Sequence, residues 1–469
     1  MVTSELWRWS AVDLADAIAA RRVSSREAVA SSLVRLGEVN QHLNAVVDVL
    51  ADEALAAADK ADAALERGDV PGPLHGVPVT VKINVDYEGR PTTTGVVAFK
   101  DDVAKADSPP VASWRAAGAI TIGRTNVPAF CARFFTDNDL HGRTLNPWDA
   151  SRTPGGSSGG AAVAVATGIG ALAHGTDRAG SIRYPAYACG VVGLRPSFGR
   201  LASYSANPNV EATLASQLMS VQGLLARSVA DVRLGLRAMA RGDERDPWWV
   251  PAPWLDRGGE RPLRVALFHG SRDAVIDPAV ASAVDQAAYW LQNMGCTVEP
   301  ATPPAFAELA DMFFSIVKTE EGEGTSRAIE RLGDNALRRA RASTMKHAIK
   351  FTLDEYVATL GRRTEILREW QTFFGRYDVL LLPVSYQPAL PIDEDQKGDD
   401  AVGRMLDAHA PMLAVSVLGL PSLAVPTGHV GSIPTGVQIV SGRFKEELCL
   451  RAGAMIELQC PPKTPIDPL

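Results

Sequence analysis

Two glycine turns in this 469-residue chain carry serine: Gly155-Gly156-Ser157-Ser158-Gly159-Gly160 and Asp177-Arg178-Ala179-Gly180-Ser181. Ser157 and Ser181 stand 181 − 157 = 24 residues apart, joined by small apolar residues. Glycine at this density weakens regular structure, so it needs a reason. It lets the backbone take unusual angles and approach a ligand closely. Serine at such places offers a hydroxyl, which is a poor nucleophile until another group takes its proton. The usual helper is histidine. The eight histidines are dispersed and none lies in either turn, although His174 comes just before the second. Lys82 is the alternative base, at the end of Gly76-Val77-Pro78-Val79-Thr80-Val81-Lys82. An ordinary lysine, with pKa about 10.4, is neutral only roughly one part in a thousand near pH 7. It serves as a base only where burial and neighbouring charge favour the neutral form. The end of an apolar strand is such a place.

Taken singly, these features are weak. Gly/Ser runs are often linkers, and a lone lysine usually lies at the surface. Together they form a specific pattern: a lysine closing a G-[IV]-P-[IV]-x-[IVL]-K strand, then GGSSGG, then D-x-x-G-S-[IL]-R. In this pattern the chain resembles the amidase signature family, over nearly its whole length and most closely from about Val77 to Arg200. The resemblance implies the amidase signature fold and a Ser-Ser-Lys triad. Ser181 is the implied nucleophile, and Ser157 relays its proton to Lys82. The Gly156–Ser157 peptide is implied to be cis. Backbone N–H groups of Arg178, Ala179, Gly180 and Ser181 form the implied oxyanion hole. Gly156, Ser158, Asp177 and Arg183 match supporting positions. No cofactor or metal is implied.

The sequence departs from the family pattern at two places. The second turn usually reads D-[TI]-G-G-S, whereas here it holds Arg178 and Ala179. Arg178 either biases the pocket toward polar or anionic groups or points away into a salt bridge. The residue after the lysine is usually Asp and here is Ile83, with Asp86 the nearest stand-in.

The elements that position these residues follow from patterning. Ser10 with Asp13, and Ser24 with Glu27, read as capping boxes before helices to about Ala19 and Val39. A third, Ala-rich helix spans about Asp52–Arg67. Val77–Val81 is β-branched and short, and alternation puts Thr80 and Lys82 on one face. Helices are expected at Pro109–Ala117, Gly160–Thr167, Arg227–Met239, Pro278–Met294 and Glu446–Leu458, and long polar helices from about Ala305 to Phe374. Strands are expected at Ala119–Gly123, Leu263–Phe268, Thr297–Glu299, Val379–Pro383, Pro421–Pro426 and Thr435–Val440. Strand–helix–strand order predicts an α/β fold with a mixed sheet wrapped by helices. It is read as one domain over 1–469, with a core at 70–240 and 375–460 and a more variable helical region at about 305–375.

Composition bounds the rest. Hydrophobic residues make up 46% and charged residues 22%, enough to bury a sizeable core. The net charge of 47 − 54 = −7 argues against a general nucleic-acid binder. Five scattered cysteines without a CxxC argue against a disulfide framework or zinc cluster. The first residues include acids where a signal peptide needs an apolar run, so a cytoplasmic protein is expected. Ser157–Thr176 has no charged residue, but it is mostly Ala and Gly and reads as a buried helix of a soluble protein rather than a membrane span. Trp248, Trp249 and Trp254 read as packing.

Three rival motifs compete for the same residues or for nearby ones. Gly155–Gly159 satisfies the G-x-S-x-G nucleophile elbow, but the stretch before it is a poor strand. Ser343–Lys346 matches S-x-x-K without a supporting K-T-G or S-D-N. Gly168–Ala173 resembles a dinucleotide turn without its acidic partner about 20 residues on. The expected activity is hydrolysis of a carboxylic amide to acid and amine through acyl-Ser181, and the same machinery would cleave carbamate, hydrazide or aryl ester bonds. The alternative is a glutaminase-type subunit of an aminoacyl-tRNA amidotransferase complex. The implied partner is a small-molecule amide, with no nucleic acid and no membrane, and a homodimer by family likeness. Pocket walls are expected from Thr92–Val96, Phe130–Phe135, Ser203–Asn209 and about Ala305–Thr352.

Overall fold

The computed structural model describes residues 5–206, 212–254, 261–271, 273–320 and 323–468. Its strands are β1 (Val46–Val49), β2 (Pro78–Lys82), β3 (Ile120–Thr125), β4 (Leu172–Asp177), β5 (Val192–Arg195), β6 (Val221–Ala226), β7 (Arg264–Leu267), β8 (Thr297–Pro300), β9 (Val379–Pro383), β10 (Ser422–Val430) and β11 (Ile433–Val440). Among the described residues they form a single 11-stranded sheet in the order β1-β3-β2-β4-β6-β5-β10-β11-β9-β7-β8. The sheet is mixed. β2 runs parallel to β3 and β4, and β7 runs parallel to β8 and β9. The remaining neighbours pair antiparallel. Helices cover the sheet, and it is the expected α/β single domain.

Local chemistry explains most element boundaries. Ser24 and Glu27 close a capping box at the helix Ser25–Leu43, and Thr352 with Glu355 does the same at Leu353–Arg376. The helix Gly159–Ala166 is buried along its whole length. Its small residues let it press onto neighbouring backbone: a Cβ on Gly160 would lie 2.5 Å from the Asn126 nitrogen and 2.6 Å from the Ala45 oxygen.

Two expectations need correction. The uncharged stretch Ser157–Thr176 is not one buried helix. The helix ends at Ala166, Gly168 and Gly170 turn with φ of 85° and 78°, and β4 begins at Leu172. Only glycine takes such angles easily, so the turn ends the helix. This also disposes of the dinucleotide motif, because Gly168–Ala173 leads from helix into strand rather than from strand into helix. Second, the helix Asp399–Leu418, with Pro411 inside it, had no counterpart among the expected elements. Of the three tryptophans expected to pack, Trp248 and Trp254 are exposed, though each still has a neighbour. Trp249 covers Gly242, Arg200 lies 4.7 Å from the Trp254 ring, and Trp248 donates to Gln217 at 2.9 Å. All five cysteines are free thiols. Among the described residues no helix is long and apolar enough to cross a membrane.

Candidate active site

β2 and β4 lie side by side and parallel, so their carboxyl ends open together. In α/β sheets that is where ligands bind. Lys82 ends β2, and Thr176 and Asp177 end β4. Lys82 is fully buried. Its Nζ lies 2.8 Å from Ser157 Oγ and 2.7 Å from Thr176 Oγ1. Burial lowers the Lys82 pKa from its ordinary 10.5, against the opposing pull of Cys131 and Asp177. The free amine is thereby favoured.

The Gly156–Ser157 peptide is cis. The two serine turns meet through the next residue: the Ser158 N–H donates to the Ser181 carbonyl at 3.1 Å, and Ser158 Oγ donates to the Thr176 carbonyl at 3.3 Å. Ser157 is 1% exposed and Ser181 9%, so Ser181 is the more open of the two hydroxyls.

Asp177 ties the second turn. Its carboxylate accepts from the Gly180 and Ile182 N–H groups at 2.9 and 3.1 Å. It also accepts from Arg183 Nε and Nη2 at 3.0 Å each, and from Arg195 Nη1 at 3.1 Å. These guanidiniums hold its pKa well below the usual carboxylate range despite full burial. Arg183 continues to Gln438 Oε1 at 2.7 Å and Ser416 Oγ at 2.8 Å, which fastens the turn to β11 and to the helix Asp399–Leu418. Among the four expected oxyanion donors, the Gly180 N–H is directed at Asp177. Gly180 has φ of 103°, and a Cβ there would lie 2.5 Å from Met412 Sδ.

Asp86 does not stand in beside Lys82. It accepts from Thr92 Oγ1 at 2.7 Å, from the Ala206 N–H at 2.8 Å and from Ser205 Oγ at 3.2 Å, and so pins two loops. Behind Lys82 sits His174 instead. Its Nδ1 accepts the Lys82 N–H at 3.4 Å, and its Nε2 lies 2.9 Å from Gln222 Oε1. Burial pushes its pKa down to about 4, so it is neutral near pH 7.

Ser181 lines a cleft of about 80 Å³ with Arg178, Phe134, Phe313, Phe314 and Arg341. Arg178 is therefore among the residues of the pocket wall. Two of the four expected wall segments contribute: Cys131–Phe134, and residues between Phe313 and Met345. The Thr92–Val96 turn is not part of this wall; Thr94 instead accepts the Phe130 N–H at 2.9 Å. Ser203 to Ala206 holds to Asp246 and Asp86, and residues 207–209 lie outside the described residues. A larger groove of about 610 Å³, between Trp9, Asp13 and Asp231, has none of the candidate catalytic residues in its lining.

The rival motifs lack the required contexts. Ser343 Oγ and Lys346 Nζ both bond to the Asp399 carboxylate, at 2.6 and 2.7 Å, rather than to each other. No strand leads into Ser157; residues 146–158 are loop apart from one isolated bridge at Arg152.

The family model named Amidase matches residues 27–450. The chain belongs to the amidase signature family. It is an enzyme of that family, a hydrolase acting on amides. An indoleacetamide hydrolase from Bradyrhizobium diazoefficiens is 42% identical to this amidase, over 96% of the chain and 86% of the relative. A glutamyl-tRNA(Gln) amidotransferase subunit from Acidothermus cellulolyticus is 33% identical over 97% and 95%. The solved structure of a 6-aminohexanoate cyclic dimer hydrolase with substrate superposes with a TM-score of 0.83 at 27% identity, covering 99% of this amidase and all of that chain.

Several residues of the amidase site had no signal in its motifs taken singly. Thr176, Gln222 and Arg341 carry ordinary side chains at unremarkable positions. Arg195 did carry a signal: a charged residue closing the apolar run Val191–Leu194 is rarely buried unless paired.

Proposed function

We propose that this amidase cleaves a small carboxamide with an apolar body, with Ser181 as nucleophile, Ser157 as proton relay and Lys82 as base. The observation that carries the reading is the buried Lys82 amine between Thr176 and Ser157. A neutral amine has two N–H donors and one lone pair. With one N–H given to Thr176 Oγ1, the lone pair is available to the Ser157 hydroxyl. Ser157 then gives its proton to Lys82 as it takes the proton of Ser181.

Ser181 Oγ forms a bond to the amide carbon, and the carbonyl π pair moves to oxygen. Backbone N–H groups of the second turn meet that oxyanion, each worth about 10²–10³ in rate. Arg178, Ala179 and Ser181 are the assigned donors, with Gly180 holding the turn through Asp177. The relay returns the proton to the departing nitrogen as the C–N bond breaks. Water, deprotonated through the same relay, then releases the acid and restores Ser181. The indoleacetamide hydrolase relative and the Phe134, Phe313 and Phe314 walls support a compact, apolar acyl body.

A fluorophosphonate probe tests the roles. The label is expected on Ser181, mapped by mass spectrometry, and is expected to be lost in Lys82→Ala. Ser181→Ala should lower kcat on the order of 10⁶-fold, as loss of a serine nucleophile does. Label on Ser157 or Ser343, or full turnover by Ser181→Ala, would overturn the assignment. Turnover that appears only with an added partner chain would favour the amidotransferase reading.

A further inference from the structure

Two helices supply wall to the cleft that holds Ser181. The helix Phe306–Glu320 contributes Phe313, Phe314 and Val317, and the helix Asn335–Lys346 contributes Ala340, Thr344 and Met345. Three other residues of the first helix, Ser315, Lys318 and Thr319, share one face at i, i+3 and i+4 spacing. They grip the end of the second helix and the turn after it. Lys318 Nζ donates to the carbonyls of Met345 and Ala348 at 2.7 and 2.8 Å. Ser315 Oγ accepts the Ile349 N–H at 3.1 Å, and Thr319 Oγ1 accepts the Phe351 N–H at 2.9 Å. We propose that Lys318 is a positioning residue that sets the width of the cleft, and with it the size of the acyl group delivered to Ser181, an inference that rests on Ser181 as the acylated residue.

The last carbonyls of a helix have no partner within it, and the helix dipole makes that end negative. Met345 lies next to last in Asn335–Lys346, so its carbonyl belongs to that set. A lysine placed there makes a charge-assisted bond, stronger than a neutral one. The two hydroxyls are arranged to accept: Ser315 Oγ donates to the Asp311 carbonyl at 3.2 Å and Thr319 Oγ1 to the Ser315 carbonyl at 2.8 Å. Each hydroxyl proton is thus spent on its own helix, and lone pairs remain for the incoming N–H groups. Lys318 directly follows Val317 and bonds to Met345, so its bond ties a cleft residue of one helix to a cleft residue of the other. Asn335–Lys346 has a second anchor in Asp399. Ser343 Oγ and Lys346 Nζ hold its carboxylate, and His347 Nε2 lies 2.9 Å from its carbonyl. With the Lys318 bonds removed, the wall opens about that anchor and larger acyl groups fit.

The test follows ammonia release by the full chain from two primary amides, phenylacetamide and the wider 2-naphthylacetamide. Lys318→Met keeps the stem and removes the donors. It should raise the ratio of kcat/KM for the wider amide to that for the narrower by at least about tenfold over wild type, the scale on which apolar pockets discriminate size. The gain should lie mainly in the KM of the wider amide. Lys318→Arg still has N–H donors for both carbonyls and should keep most of the wild-type ratio. Thr319→Val loses the acceptor for the Phe351 N–H and should move the ratio the same way by a smaller factor, which keeps the test decisive where Lys318→Met does not fold. Because the readout is a ratio within one variant, a general loss of activity cancels. A role in stability alone would lower the melting temperature and leave the ratio in place. A ratio unchanged or lowered in the folded variants Lys318→Met and Thr319→Val overturns the assignment, while fluorophosphonate labelling of Ser181 in the same samples leaves the amidase mechanism standing. Absence of Ser181 labelling in the wild type overturns both.

Discussion

In the proposed mechanism Lys82 acts through the direction of one lone pair. Its Nζ lies 2.7 Å from Thr176 Oγ1 and 2.8 Å from Ser157 Oγ, and the mechanism gives an N–H to the first and the lone pair to the second. Thr176→Val keeps the shape and removes the acceptor. It should lower kcat about tenfold or more, and it should move the acidic limb of the kcat/KM profile to lower pH. The sign follows from the charge: an acceptor stabilises the ammonium form more than the amine, so its loss lowers the Lys82 pKa further. A merely structural role would leave the limb in place. Asp177 sets a second pH dependence. Its native pKa lies below the ordinary 3.8, so the unfolded chain binds the more protons as pH falls. The stability it contributes is complete above about pH 5 and is lost as acid approaches its native pKa. Asp177→Asn should flatten the fall in melting temperature below pH 5, and an unchanged slope would refute this.

At the scale of elements, the second turn is a rigid part bolted to three others. Arg183 and Arg195 reach it from the following helix and from β5, and Met412 closes on Gly180 from the helix Asp399–Leu418. Gly180→Ala meets two obstacles, a φ of 103° and contact with Met412. It should reduce kcat by at least about tenfold, because the neighbouring N–H donors move with the turn. Adding Met412→Ala makes space but leaves the backbone angle unfavourable, so the double variant should stay impaired. Recovery in the double variant would show that crowding alone mattered. Elements differ in how plainly the sequence announces them. The capped helices Ala11–Ala19 and Ser25–Leu43 were legible because Ser10 and Ser24 mark their starts. β5 and β6 were not, since strands buried on both faces show no polar alternation. The helix Asp399–Leu418 hid for the same reason: residues Pro411–Leu418 are all buried, and Pro411 argues against a helix.

Over the whole molecule, the site depends on contacts between distant parts of the chain. The Arg133–Asp395 pair spans 262 residues and is almost fully buried at the cleft. Asp395→Ala would remove the two short bonds of Arg133 and leave it only the longer ion pairs with Asp393 at 3.8 Å and Asp137 at 4.0 Å. It should cost less than the roughly 3–5 kcal/mol of a buried charge with no partner at all, read as a drop in melting temperature. Replacing both, Arg133→Met with Asp395→Leu, should restore most of that stability. A double variant as unstable as the single one would argue against charge burial as the cause.

What the sequence by itself determined was the family and its amide chemistry: Lys82, Ser157 and Ser181 carry the family pattern in that order, the first at a strand end and the other two in glycine turns. The α/β class, most helices and the short strand ending in Lys82 were also legible, because caps and local patterning act over a few residues. Tertiary structure alone decided what surrounds the triad. Thr176 lies 94 residues from Lys82, and Gln438 lies 255 from Arg183. Nothing local links such pairs; the strand order brings them together. The same holds for Arg178. Its place in the turn was plain from the sequence, but only the packing of the helices Phe306–Glu320 and Asn335–Lys346 turned it into a pocket wall beside Arg341. Side-chain direction is set by the elements packed against it, and no spacing rule carries that information.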